Sequence, residues 1–289
     1  MSQSPSMDEP CAVVTLAAIT GSPRDWLDSV RSLEKVQDSN GCVIAAWDNV
    51  TAEQCFKGAK AQLLSAWTLS AALSSVLEQR PGLEAVLVAG SPVAVPPAVL
   101  QRALAWMRDD PRIASVSFLS NAAGMLSFPY RNSPTPYGIG GMDEVGVCAR
   151  LRQTLPDSGP VSLQVPVGPA VLVNASVLRA LGGLDDQRDN LVSLSLAEFG
   201  LRSARRGFRH VLDAGTYVTA QWTATGAPVE ATEDAGSRAS LHAADASFPA
   251  LHDQLRASEK SPLAIALDVA RSKVQGLRIL IDGSCLGPM

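Results

Sequence analysis

Residues 165–222 read VPVGPAVLVNASVLRALGGLDDQRDNLVSLSLAEFGLRSARRGFRHVLDAGTYVTAQW, and the order of elements in this stretch decides the fold. Val167 to Val173 is an apolar run broken by Gly168 and Pro169, which reads as a buried strand at a close backbone approach. A helix is expected next, with Ser176 as N-cap, Val177, Leu178 and Leu181 as the apolar face, and Gly182-Gly183 ending it where left-handed backbone is wanted. After Leu184-Asp185-Asp186, a second amphipathic helix runs to Arg206 and is closed by Gly207. A last strand, Phe208 to Leu212, leads into Gly215-Thr216-Tyr217-Val218.

The whole chain has 289 residues, enough for one large domain of about 200 to 250 residues with an appendage. Hydrophobic residues make up 46% and charged residues 18%, which excludes a disordered chain. A net charge of -4 supplies no basic field for nucleic acid or anionic lipid, and no nucleic-acid motif is present. The opening MSQSPSMDEP lacks the basic and apolar regions of a signal peptide, and no apolar run approaches the length of a membrane span. A cytoplasmic protein without a membrane span is therefore expected, with no glycan on Asn49-Val50-Thr51 or Asn174-Ala175-Ser176. Cys11, Cys42, Cys55, Cys148 and Cys285 form no close pair and read as free, mostly buried thiols.

Upstream of the deciding stretch, residues 1–10 read as a disordered lead-in. Cys11 to Ile19 is nearly continuously apolar, the pattern of a strand buried on both faces of a parallel sheet. Gly21-Ser22-Pro23 breaks it, and Trp26, Leu27, Val30 and Leu33 then recur at helical spacing. Cys42 to Trp47 reads as a second strand, and Ala59 to Leu77 as a helix with Leu63, Leu64, Trp67, Ala71 and Leu73 or Leu77 inside. Glu84 to Ala89 is a further strand. Pro96-Pro97 opens a helix that closes at Asp109-Asp110-Pro111, and Ile113 to Leu119 is the strand after it.

Two irregular regions follow. Ser120 to Pro136 contains Phe128, Tyr130 and Arg131, which suit a sugar or phosphate in an acceptor-site loop and equally suit ordinary surface cover. In the second, Tyr137 to Ser162, the cluster Gly138-Ile139-Gly140-Gly141 is not a dinucleotide fingerprint, because no helix of the right kind is expected after it.

The order and spacing in residues 165–222 resemble the second half of a family 2 glycosyltransferase domain of the GT-A fold. There a Gly-rich strand, a helix, paired glycines with Asp-Glu, an acidic helix carrying an Arg, and a final strand recur in that order. The resemblance covers roughly residues 11–222 and implies an α/β fold, a mostly parallel sheet with helices on both faces. It also implies a set of site residues. Asp48, Asn49 and Glu53 match the loop that holds the donor's nucleobase, although an Asx-turn with a helix cap accounts for the same residues. Ser91 is expected near the donor diphosphate, with Gly168 and Pro169 flanking the donor sugar. Asp185 faces the acceptor or caps a helix. Glu198 is the candidate catalytic base, with Asp189 as a substitute, or else it is a solvated partner of Arg202 at i,i+4.

Three parts of the family's chemistry are altered together. The Asp-x-Asp that holds Mg2+ or Mn2+ is replaced by Ala89-Gly90-Ser91, so the divalent metal usual for the family has no ligand motif, and no cofactor is assigned. The family's Glu-Asp pair falls on Ser195-Leu196, and its terminal His falls on Ala220. His210, His242 and His252 are too dispersed for a metal site.

Residues 223–274 read as a linker with helices, at about Arg238 to Arg256 and at Pro262 to Val274. Leu277 to Gly283 is a new strand and turn that resembles the first strand of a family 4, GT-B transferase. The expectation is that residues 275–289 begin a second transferase domain cut short. The function implied by the resemblance is transfer of a sugar from a nucleotide-sugar donor to a glycan or glycoconjugate acceptor, with inversion, in bacterial surface-polysaccharide synthesis. The alternative is a catalytically degenerate module that binds acceptor or supports the second domain. A small-molecule-binding α/β protein unrelated to sugars is the third class, favoured only by a sheet order other than GT-A.

Overall fold

The computed structural model describes residues 13–19, 21–46, 49–66, 68–136, 139, 141–154, 159–185, 192–222 and 235–257. The expected lead-in, Asp48, Asp186, Asp189, the helix over residues 262–274 and the strand over residues 277–283 lie outside them. The first half of the described chain alternates strands and helices: β1 (Val13–Ile19), α1 (Leu27–Leu33), β2 (Cys42–Ala46), α2 (Asn49–Cys55), β3 (Gln62–Ser65), α3 (Leu69–Gln79) and β4 (Ala85–Ala89). A short β5 (Val93–Ala94), α4 (Leu100–Asp109) and β6 (Ile113–Ser120) come next. The second half holds α5 (Glu144–Thr154), β7 (Val161–Leu163), β8 (Ala170–Asn174), α6 (Ala175–Ala180), α7 (Val192–Ala204) and β9 (Arg209–Ala220). Two further helices, α8 (Ala235–Ala244) and α9 (Phe248–Ala257), occupy part of the expected linker. Their Leu241 and Phe248 are fully buried in the same cluster as Leu151, Leu212 and Tyr217.

The strands form one sheet in the order β3-β2-β1-β4-β8-β6-β9-β5, with β7 paired to β9. Pairs β3 with β2, β2 with β1, β1 with β4, and β6 with β9 are parallel, whereas β8 is antiparallel to both β4 and β6. Side chains alternate between two apolar layers, as strand geometry requires. Ala85, Leu87 and Ala89 of β4 join the layer of α1 and α4, and Val86 and Val88 join that of α3, α6 and α7. Helices on both faces of a mostly parallel sheet are thus observed. Among the described residues no helix is long and apolar enough to cross a membrane.

The helix expected over Ala59 to Leu77 is divided. Leu63 packs on one apolar layer and Leu64 on the other, the alternation of a strand, and residues 62–65 form β3. The helix starts only after Thr68, whose hydroxyl accepts from the Ala71 backbone N–H at 3.0 Å. The cap of α6 also differs from expectation. It is Asn174, not Ser176, whose side-chain oxygen accepts from the N–H groups of Ser176 and Val177 at 2.9 and 3.3 Å. Tyr137 to Ser162 is not wholly irregular, because α5 lies inside it, with Asp143 accepting from Gly146 N–H at 2.8 Å. Only a narrow face of that helix is buried, through Val147, Cys148, Leu151 and Thr154, so its periodicity in the sequence is weak. The glycines before α5 are still no dinucleotide fingerprint, since the preceding strand, β6, ends at Ser120.

Gly200 of α7 lies close against the chain entering β8. A Cβ there would overlap the Pro166 ring and stand 3.0 Å from Val165 Cα. Gly200→Ala is expected to lower stability by about 1–2 kcal/mol in urea unfolding, because overlap with a rigid ring outweighs the ~1 kcal/mol by which alanine is the better helix former. A variant as stable as the parent would show that α7 shifts freely.

Candidate functional site

In a sheet of parallel strands, the carboxyl ends share one edge, where ligands bind in open α/β folds. β8 runs the other way and so delivers its amino end, Gly168-Pro169, to that same edge. The Gly90 N–H donates to the Pro169 carbonyl at 3.0 Å, one residue beyond the last β4–β8 pair, Ala89 with Ala170. Ser91, Gly168 and Pro169, all expected from the sequence, are therefore brought together. The Ser91 hydroxyl is buried without a hydrogen-bond partner. Gly168 has φ +126°, while a Cβ there would meet nothing closer than 3.6 Å, so backbone conformation and not space demands glycine.

The chain leaving β4 is fixed on several sides. Val93 N–H donates to Ser29 Oγ and Val95 N–H to Ser32 Oγ, each at 2.9 Å, which ties it to α1. Gln221 N–H donates to the Pro92 carbonyl at 2.8 Å, and β5 pairs with the end of β9. On the other side of Gly90 stands Val192, the first residue of α7; a Cβ on Gly90 would lie 2.7 Å from Val192 Cγ1.

The wall beside Gly168 is the start of the loop after β6. Residues 121–128 are buried, so this half is not ordinary surface cover, whereas Tyr130 is 42% exposed. Asn121 holds it in place. Its Nδ2 donates to the carbonyls of Thr135 and Ala220, both at 2.9 Å, and its Oδ1 accepts from Ala220 N–H at 2.7 Å. Phe128 is fully buried and meets Tyr217 edge-on, with ring centres 6.4 Å apart.

Asp185 also belongs to this edge. It is half-buried and follows Leu184, whose carbonyl accepts from Ser70 Oγ at 3.1 Å at the amino end of α3. The segment expected as a nucleobase loop is instead helical from Asn49, with Ala52 in the core and Glu53 exposed. Its start lies just past the carboxyl end of β2, on the candidate edge, while Asp48 is outside the described residues.

Glu198 has a different environment. It is buried in α7, six residues from Val192, or about 9 Å along the axis. Its carboxylate pairs with Arg202 at 3.1 Å, and that guanidinium donates onward to the carbonyls of Leu181 and Gly183 at 2.8 and 2.9 Å. The pair at i,i+4 is thus not a solvated surface pair. It is a clamp from α7 to the paired glycines, and the structure does not bring Glu198 to Ser91.

Sequence reasoning missed three buried polar residues: Asn121, Asp213 and His210. Asp213 is fully buried where β6 and β9 lose register; it accepts from Gly215 N–H at 3.0 Å and Thr216 Oγ1 at 2.7 Å, with Arg102 at 3.5 Å. His210, near the opposite edge, has Nδ1 2.8 Å from Ser115 Oγ and Nε2 3.0 Å from the Gly200 carbonyl, which requires the proton on Nε2. Burial holds its pKa down at about 4, partly offset by the bond to Gly200. Burial likewise pushes the Cys42 and Cys148 thiols up to about 11, and both cysteines are free. Among the described residues, no three His, Cys, Asp or Glu gather as metal ligands.

No protein-family model matches the chain, and no curated protein matches it. Solved structures do. A mannosyltransferase from Pyrobaculum calidifontis, PcManGT, in complex with GDP-Man and Mn2+ matches with a TM-score of 0.52 at 14% identity, over 98% of this chain and 77% of that one. GalNAc-T7 with UDP, GalNAc and Mn2+ matches with a TM-score of 0.51 at 11% identity, over 97% of this chain and 59% of that one. At these identities the likeness is one of fold, and the fold is GT-A.

Proposed function

We propose that this chain is a glycosyltransferase domain that uses a nucleotide-sugar donor at the carboxyl edge of the sheet. One observation carries the reading. On a fold shared with two sugar transferases, β8 enters antiparallel and sets Gly168-Pro169 against the tip of β4, next to Ser91. In the reaction, an acceptor hydroxyl oxygen bonds to the anomeric carbon, the bond from that carbon to the diphosphate oxygen breaks, and its electron pair leaves with the diphosphate. The hydroxyl proton passes to a base.

The sequence resemblance supports family 2 chemistry with inversion, and a glycan or glycoconjugate acceptor in bacterial surface-polysaccharide synthesis. Asp48, Asn49 and Glu53 are the proposed nucleoside contacts, Ser91 lies by the diphosphate, and Asp185 faces the acceptor. Glu198 is the base proposed from the resemblance, and its use in proton transfer requires release from Arg202. That pairing favours the second reading, a degenerate domain that binds without turnover, supporting a second transferase domain.

A thermal-shift titration of the full chain with UDP, GDP and dTDP tests the proposal. A ligand that binds only the native state at 100 times its Kd adds about 2.7 kcal/mol to stability and raises Tm by several degrees. Asp48→Ala is expected to abolish the shift. If no nucleotide moves Tm, the donor-binding reading is wrong; a shift without sugar transfer in the presence of acceptor selects the degenerate domain.

A further inference from the structure

Both similar structures hold Mn2+ with their nucleotide or nucleotide-sugar. A hard divalent cation needs several oxygen ligands, carboxylates above all, in an open cradle. Ala89, which ends β4, and Gly90 and Ser91, which follow it, do not fit one. Ala89 is fully buried in the apolar layer of α1 and α4, so even a carboxylate at that position would be aimed into the core. Gly90 faces the other way and is covered by Val192, whose Cγ1 and Cβ would stand 2.7 and 3.0 Å from any side-chain carbon added there. Ser91 offers one neutral, buried hydroxyl, and the Pro169 carbonyl beside Gly90 already accepts from Gly90 N–H. The stretch Ala89-Gly90-Ser91 supplies no carboxylate, and Val192 leaves no room for a side chain at Gly90.

We infer that this edge takes its nucleotide ligand without a divalent cation. The inference rests on the proposed donor site and adds that the nucleotide is held there without a metal bridging its phosphates. It also separates two otherwise similar histories of the site, loss of the metal with binding retained and loss of both.

The test has two arms on the full chain. In the first, UDP and GDP affinities are measured calorimetrically in Mn2+ and in EDTA; they are expected to agree within about two-fold, and a ten-fold or greater loss in EDTA overturns the inference. In the second, the electron paramagnetic resonance signal of free Mn2+ is followed as chain is added, with and without nucleotide. The chain is expected to remove no more Mn2+ than the nucleotide alone removes, and one equivalent taken up tightly per chain overturns the inference. Should neither nucleotide bind in either buffer, the donor-site reading fails, and Mn2+ uptake by the chain alone still decides the question of the metal.

Discussion

Acidification from pH 7 to pH 4 is expected to remove on the order of 3 kcal/mol of folding stability through His210 alone. Its pKa is lowered from 6.5 in the unfolded chain to about 4 in the fold, chiefly because burial penalises the imidazolium. Between those values the unfolded chain binds a proton that the folded chain refuses. The contribution is therefore complete above about pH 6.5, declines as pH falls toward 4, and levels off below that. Half-buried Asp110 and Asp245 have pKa values below the ordinary carboxylate value, chiefly through hydrogen bonds from Arg112 and Ser247, so their losses come lower on the pH scale and do not blur the window. Urea unfolding at half-unit steps from pH 4 to 8 measures the effect. His210→Asn should be less stable at pH 7 and should flatten the curve across the same interval. An unchanged slope in the variant would assign the acid sensitivity elsewhere.

Replacing Asn121 with alanine is expected to cost about 3 kcal/mol, because it removes the partner of the buried N–H and carbonyl of Ala220 and one bond to the part-buried Thr135 carbonyl. Asn121→Asp should be at least as damaging, since a carboxylate cannot donate to the two carbonyls that the amide now serves. The loss should be larger near the site than elsewhere. Amide exchange in residues 121–136 and 217–222 is expected to speed up before that of β1 and β4. Uniform acceleration throughout would mean that Asn121 supports global stability and does not specifically hold the wall beside Gly168.

Where strands were buried on both faces, the reading of the sequence and the structure agree closely. Val13–Ile19, Ala85–Ala89 and Ile113–Ser120 lie within a residue or two of the expected strands, because an uninterrupted apolar run of that length has few other uses. Gly182 and Gly207 have φ +76° and +83° at the ends of their helices, as glycine at such a stop suggests. Errors arose where local signals were shared. Leu63-Leu64 fits a helix face and a two-sided strand alike, and only pairing with β2 decides between them. Asn174 was legible as a cap, being a strong N-cap residue one place before the helix, yet the serine two places later gave the same signal.

The candidate site divides in the same way. Ser91, Gly168 and Pro169 were singled out from the sequence, and their closeness follows from strand order. Glu198 was singled out by spacing alone, and spacing along a helix says nothing about what the far side of that helix touches. Its pairing with Arg202 is the i,i+4 contact that spacing anticipates, but the burial of that pair and the onward bonds of Arg202 to Leu181 and Gly183 depend on how the chain after α6 packs against α7.

By itself, then, the sequence determined the alternation of buried strands and amphipathic helices, the glycine stops, and the absence of carboxylates at the end of β4, since each is written in residues adjacent along the chain. Tertiary structure alone decided that β8 runs antiparallel between β4 and β6, that Val192 closes over Gly90, and that Asn121, Asp213 and His210 are satisfied polar anchors. Those outcomes depend on partners tens of residues away. A buried polar group is tolerated only when a specific distant donor or acceptor meets it, and no local pattern of residues records that meeting.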